Sequence, residues 1–133
     1  MIPPLMKHQG SNIAYADLRL NELRQARRRI LAQAKGPLHF HRLSVLIAES
    51  PCSRFWVSLE RAATVIRPLL QGKPMPYMRP IKQQMYIEIL RRVRLLIESC
   101  PSITVTDAIA SAIDSPAPRF YLSPRTVYRL LHP

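Results

Sequence analysis

The nine residues Glu49-Ser50-Pro51-Cys52-Ser53-Arg54-Phe55-Trp56-Val57 return in altered form as Asp114-Ser115-Pro116-Ala117-Pro118-Arg119-Phe120-Tyr121-Leu122, 65 positions later. The same offset, without a gap, pairs Arg27 with Arg92, Arg29 with Arg94, Leu31 with Leu96 and Ser58 with Ser123. Self-similarity at a fixed period marks a repeated unit that cannot bury its apolar face alone. The chain is therefore expected to divide into a flexible tail at 1–10, copy one at 11–70, a Pro-rich connector at 71–79 and copy two at 80–133. With 133 residues in all, each copy sits at the margin of about 60 residues where a lone core becomes marginal. The two copies should then pack together with pseudo-twofold symmetry.

Each copy reads as three helices with short extended pieces between them. Ser11 is the expected cap of a first helix that turns Ile13, Leu20, Leu23, Ile30 and Leu31 inward and stops at Gly36-Pro37. Its counterpart starts at Pro80, buries Ile89, Leu90, Val93, Leu96 and Ile97, and ends before Pro101. The β-favouring runs 38–40 and 103–105 predict short strands, followed by short helices at 42–49 and 107–114, the latter capped by Thr106. The apolar phase of these short helices differs by one residue between the copies. In the box, prolines forbid helix and the alternation predicts a short strand that buries Phe55 and Val57 in one copy, Phe120 and Leu122 in the other. Ser58 and Ser123 then cap final helices at 59–70 and 124–131, with Ala62, Val65, Ile66 and Leu69, and Val127, Leu130 and Leu131, facing inward.

Charge narrows the partner class. Twenty Lys and Arg stand against eight acids, a formal charge of +12. Such a surplus repels itself in a compact chain unless a polyanion neutralises it, which points to nucleic acid, with DNA favoured over RNA. The surplus concentrates in the first helices and the connector, so Arg24, Arg27, Arg28, Arg91, Arg92 and Arg94 are the expected phosphate contacts. A solvated helix face with Glu88 and Arg92 as an i,i+4 pair is the plainer alternative. No run is long and apolar enough for a membrane span, so no membrane partner is expected. The two cysteines, Cys52 and Cys100, form no CxxC pair, which suits a reducing compartment and a cytoplasmic protein.

The final helices carry the residues suited to reading bases. Arg125 and Arg129 are four apart with Thr126 beside them, and Arg61, Thr64 and Arg67 are available in the other copy. Arg can pair bidentately with guanine, and Thr can touch a base edge or a thymine methyl. The segment Leu122-Ser123-Pro124-Arg125-Thr126-Val127-Tyr128-Arg129-Leu130-Leu131 resembles the recognition helix of helix-turn-helix DNA-binding regulators, and Asp107-Ala108-Ile109-Ala110-Ser111-Ala112-Ile113 resembles the helix before it. That resemblance, over 107–131, implies a small DNA-binding regulator; with the repeat and the element reading above, the expected fold is mainly α with minor short β-strands, built from tandem helix-turn-helix-like units. It departs from the family in the long segment 115–121, where a tight turn is usual, and in Glu60, which stands where copy two has Arg125. The doubled chain as a whole is also similar to small duplicated bacterial proteins of mobile-element type, a likeness that implies no activity.

The box residues Arg54, Trp56, Arg119 and Tyr121 admit two readings. Arginine beside an aromatic ring can grip phosphate or stack on unpaired bases, or Phe can enter the core while its aromatic neighbour covers it and Arg snorkels. Catalysis has no visible footing, since no pair of acids has an acid–base spacing and three glycines supply no phosphate-cradling loop. His39 and His41 would share one face of the expected strand without completing a metal site. No enzyme, metal or cofactor is therefore expected. The alternative from another class is a structural or protein-interaction module with a basic surface, such as a component of a ribonucleoprotein or phage assembly.

Overall fold

The computed structural model describes the backbone from Pro4 and the side chains from Tyr15 onward. Residues 1–3 of the expected tail, and the side chains of Ser11 and Ile13, lie outside the described residues. Among the described residues the chain forms six helices: α1 (Pro4–Gln33), α2 (Phe40–Ala48), α3 (Leu59–Leu70), α4 (Pro80–Ser99), α5 (Val105–Ile113) and α6 (Pro124–Leu131). Helix α1 thus begins ahead of Ser11, the expected cap. Helices α3 and α6 occupy the expected positions, and Ser58 and Ser123 cap them by accepting from the amides of Arg61 and Thr126.

The helices assort into two compact units that cut across the segments 11–70 and 80–133. Unit one is Met1–Ser50 with Leu122–Pro133, and unit two is Pro51–Tyr121. In unit one α2 packs against both α1 and α6; in unit two α5 packs against both α4 and α3. Each unit therefore takes two helices from one sequence segment and its third from the other. Among the described residues, unit one buries Leu23 and Ala26 of α1, Ser44, Ile47 and Ala48 of α2, and Val127 and Leu131 of α6, joined by Leu122. Unit two buries Ala62, Val65, Ile66 and Leu69 of α3, Met85, Tyr86, Ile89 and Val93 of α4, and Ala108, Ile109, Ala112 and Ile113 of α5.

Two of the three helix pairs start 65 residues apart, α2 with α5 and α3 with α6, and the buried Ser44, Ile47 and Ala48 match the buried Ile109, Ala112 and Ile113 at that spacing. The one-residue phase difference expected between the short helices is absent. It lies one element earlier: α1 ends at Gln33 and α4 at Ser99, 66 apart. The linker at 34–39 is thus one residue longer than that at 100–104. At a spacing of 65 the buried Leu23 would match the half-buried, charged Glu88; at 66 it matches the buried Ile89.

The expected strands do not form, and capping explains why. His39 accepts from the His41 amide through its own ring and starts α2, and Thr104, not Thr106, accepts from the Asp107 amide and starts α5. Residues 38–40 and 103–105 are therefore cap and first turn; a side-chain acceptor at the N-cap is worth about 1 kcal/mol, enough to outweigh weak β preference. In the box, pairing is confined to one antiparallel bridge in unit two, Cys52 with Ala117, whose amides each donate to the other's carbonyl at 3.0 Å. The Ser50 and Ser115 amides, which would extend it, donate instead to Ile47 O at 3.0 Å and Ala112 O at 3.3 Å. Strand alternation also fails: Phe55, Trp56 and Val57 are all buried, and so are Phe120, Tyr121 and Leu122. Tyr121 adopts a left-handed backbone, φ 56°, which breaks the period of two.

Helix α3 ends in a Schellman turn. Gly72 takes φ 84°, its amide donates to Leu69 O at 3.0 Å, and the Lys73 amide donates to Pro68 O at 3.1 Å. A side chain at residue 72 would strain that backbone. The turn starts the 71–79 connector, which carries Pro74 and Pro76 to the start of α4.

Candidate nucleic-acid interface

In unit one the expected phosphate contacts lie on α1 and the expected base-facing residues on α6. Arg24, Arg28 and Arg29 of α1 are exposed and Arg27 is half-buried, because the buried Leu23 and Ala26 set the inward face. On α6, Val127 and Leu131 face inward, which leaves Arg125 and Arg129 exposed. Thr126 is half-buried and belongs to the cap: its amide donates to Ser123 Oγ at 3.1 Å, and its hydroxyl oxygen accepts from Ser123 Oγ at 2.9 Å and Arg129 Nη2 at 3.4 Å. Neither α2 nor α6 contains an acidic residue, and together they hold Arg42, Arg125 and Arg129.

A row of rings joins the same two helices. His39 lies 4.4 Å from Phe40, Phe40 5.2 Å from Tyr128, and Tyr128 is stacked at 4.3 Å on His132, all between ring centroids. Phe40 is 57% exposed and Tyr128 39%. Neither ring was legible as part of a site in the sequence: the β-favouring run 38–40 predicts a strand for Phe40, and no spacing joins it to a residue 88 positions away.

In unit two most of the candidates are engaged by neighbours. Arg61 is exposed on α3 beside Tyr86, whose phenol burial pushes up while the guanidinium of Arg61 pulls it back. Thr64 is exposed and donates to Glu60 O at 2.9 Å. Arg67, also exposed, reaches from α3 to α5 and donates to the Thr106 hydroxyl. On α4, Glu88 accepts from Arg91 Nε at 3.0 Å and Arg91 Nη2 at 2.6 Å, and from Arg92 Nε at 2.8 Å. Arg92 also donates to Ser115 Oγ at 2.9 Å and Pro116 O at 2.5 Å, and lies 4.8 Å over the Phe55 ring. Arg92 is thus a staple between α4 and the box, whereas Arg94 is exposed on the opposite side of its helix turn.

The box residues act as structure in unit two. Arg54 donates to Phe55 O at 3.2 Å, pairs with Asp114 at 3.1 Å and lies 5.7 Å over Trp56. Arg119 donates to Gln84 at 3.4 Å and lies 6.0 Å from the Tyr121 ring. The Cys52 thiol donates to the carbonyls of Arg54 and Arg119 at 3.2 and 3.4 Å. Trp56 and Tyr121 are buried, with 7% and 4% of their surfaces exposed, too little for base stacking. His39 and His41 sit at the start of α2, and no cluster of three metal-ligating side chains exists among the described residues. No helix among the described residues is long and apolar enough to cross a membrane.

Glu88 gives the network a pH signature. The hydrogen bond from Arg91, followed by that from Arg92, holds its carboxyl at about 2, against an ordinary 4.5. A carboxylate depressed in the folded state stabilises fully above its unfolded pKa and loses that contribution as pH falls through the folded one. The wild type should therefore lose stability between pH 4.5 and about 2, and Glu88→Gln should flatten that slope in urea melts taken across the window. An unchanged slope would show that the Glu88 pairs contribute nothing to acid stability.

No family model, curated protein or solved structure matches this chain.

Proposed function

We propose that the chain is a duplicated nucleic-acid-binding protein, with duplex DNA as the favoured partner, in which the two sequence copies exchange their last helices to complete two trihelical units. The observation that carries this reading is the acid-free pair α2 and α6, which presents exposed Arg125 and Arg129 from a short capped helix in a chain of charge +12. The helix pairs that would serve as helix-turn-helix-like readers are α2 with α6 and α5 with α3. In this reading Arg24, Arg27 and Arg28 of α1 and Arg94 of α4 hold phosphates, Arg125 and Arg129 face base edges, and Arg61 and Arg67 play the weaker reading role in unit two. Arg91 and Arg92 serve mainly to fix Glu88 and the box. The contrast between the units supports this division: unit one has ten basic and three acidic residues, unit two ten and five.

The test is fluorescence anisotropy with several duplexes of different sequence. Arg24→Ala with Arg28→Ala should weaken all duplexes alike, because phosphate contacts carry no sequence information. Arg125→Ala with Arg129→Ala should compress the differences among sequences by about 1–3 kcal/mol. Should the second pair leave every affinity unchanged while the first abolishes binding, base reading is wrong and α1 acts as a clamp alone.

A further inference from the structure

We infer that the ring row of unit one is a stacking surface for unpaired nucleobases, so that the protein takes single-stranded as well as duplex nucleic acid. The inference rests on the proposed nucleic-acid role, but on different residues. Phe40 and Tyr128 line an open groove of 390 Å³ with His41, Ser44, Ser123, Pro124 and Arg125. A volume of that size falls within the roughly 300–1,000 Å³ of small-molecule sites. Burial does not account for the rings, because Phe40 is 57% and Tyr128 39% exposed while the inward face of each helix is already filled by Ile47, Ala48, Val127 and Leu131.

Charge selects the occupant. The two helices that carry the rings hold no carboxylate, and Arg125 stands at the groove while Arg42 and Arg129 are exposed on the same helices. An aromatic face beside guanidinium groups, with no acid near on either helix, suits a chain whose bases are planar and whose backbone is anionic. Each base stacked on such a ring adds about 1–3 kcal/mol with little regard to its identity. A duplex cannot use this surface without unstacking a base. At the 65-residue spacing the counterparts of Phe40 and Tyr128 are Val105 and Ala63, so unit two lacks the rings and stacking is a property of unit one.

Phe40→Ala with Tyr128→Ala, measured by anisotropy on labelled oligodeoxythymidylate, oligouridylate and a DNA duplex, tests this directly. Single-strand affinity should fall about tenfold or more on whichever strand type the wild type binds, and duplex affinity should change by no more than about twofold. Phe40→Trp with Tyr128→Phe should retain single-strand binding. Should the alanine pair unfold, Phe40→Leu with Tyr128→Leu preserves apolar volume without a π face and should show the same selective loss. Equal loss on strands and duplex, or no loss on any, overturns the stacking surface. A wild type that binds duplex but neither single strand overturns this inference alone, whereas one that binds no nucleic acid overturns the proposed function with it.

Discussion

Phe55→Ala is expected to destabilise the protein by about 3–5 kcal/mol, the range for emptying a well-packed aromatic site. The size follows from what the ring supports. Phe55 is 1% exposed, stacks on Tyr121 at 5.9 Å between centroids, and carries the Arg92 guanidinium 4.8 Å above it. Its own amide donates to Ile113 O at 2.9 Å. Truncation leaves a cavity and also removes the face on which Arg92 rests, while the bonds of Arg92 to Glu88, Ser115 and Pro116 lose their alignment. In thermal melts the midpoint should drop by on the order of 10 °C. Phe55→Leu should lose much less, because it refills most of the volume. A drop of under about 1 kcal/mol for the alanine variant, well below the range for aromatic truncation, would mean that the box is not a packing centre.

That role of the box was half legible in the sequence. The identities around Pro51, Arg54 and Phe55 single out the segment, and Arg54 and Arg119 lie beside the rings of Trp56 and Tyr121. What the pattern could not supply is the backbone: the left-handed Tyr121 and the single Cys52–Ala117 bridge, ended where the Ser50 and Ser115 amides turn back to the helix ends, lie beyond a period-of-two argument. Serine caps were the most legible feature. Ser58 and Ser123 fix the starts of α3 and α6 because a short side chain satisfies amides three residues on, an effect wholly local in sequence.

The first helices show the opposite case. Ungapped comparison pairs Arg27 with Arg92, yet α1 and α4 end 66 residues apart, so the residue that shares the place of Arg27 is the buried Val93. An extra linker residue turns a helix face by about 100°, and repeated arginines hide that rotation since they align well in either register. That α6 packs with α1 and α2, and α3 with α4 and α5, was equally invisible. A helix with an apolar stripe records that it must be covered, and nothing in it records by which segment. For the same reason the candidate site was only partly legible: Arg125 and Arg129 were found from their spacing on one helix, whereas the Phe40–Tyr128 contact depends on α2 meeting α6.

The salt dependence of duplex binding probes the account most directly, and it is the second large effect expected. Each phosphate neutralised by Arg or Lys releases condensed counterion, so the slope of log affinity against log salt is about −0.9 per contact. Arg24, Arg27, Arg28 and Arg94 form the proposed phosphate-contact set, and engagement of all four implies a slope of about −3.6, or on the order of a hundredfold loss between 50 and 200 mM salt. Arg24→Ala with Arg28→Ala should make the slope shallower by about 2. A protein-interaction module that docks through apolar surface would respond little to salt. Anisotropy of a labelled duplex, titrated at several salt concentrations across that range, should give the steep line; a flat line, or no binding at the lowest salt, would contradict a basic surface built to follow phosphates.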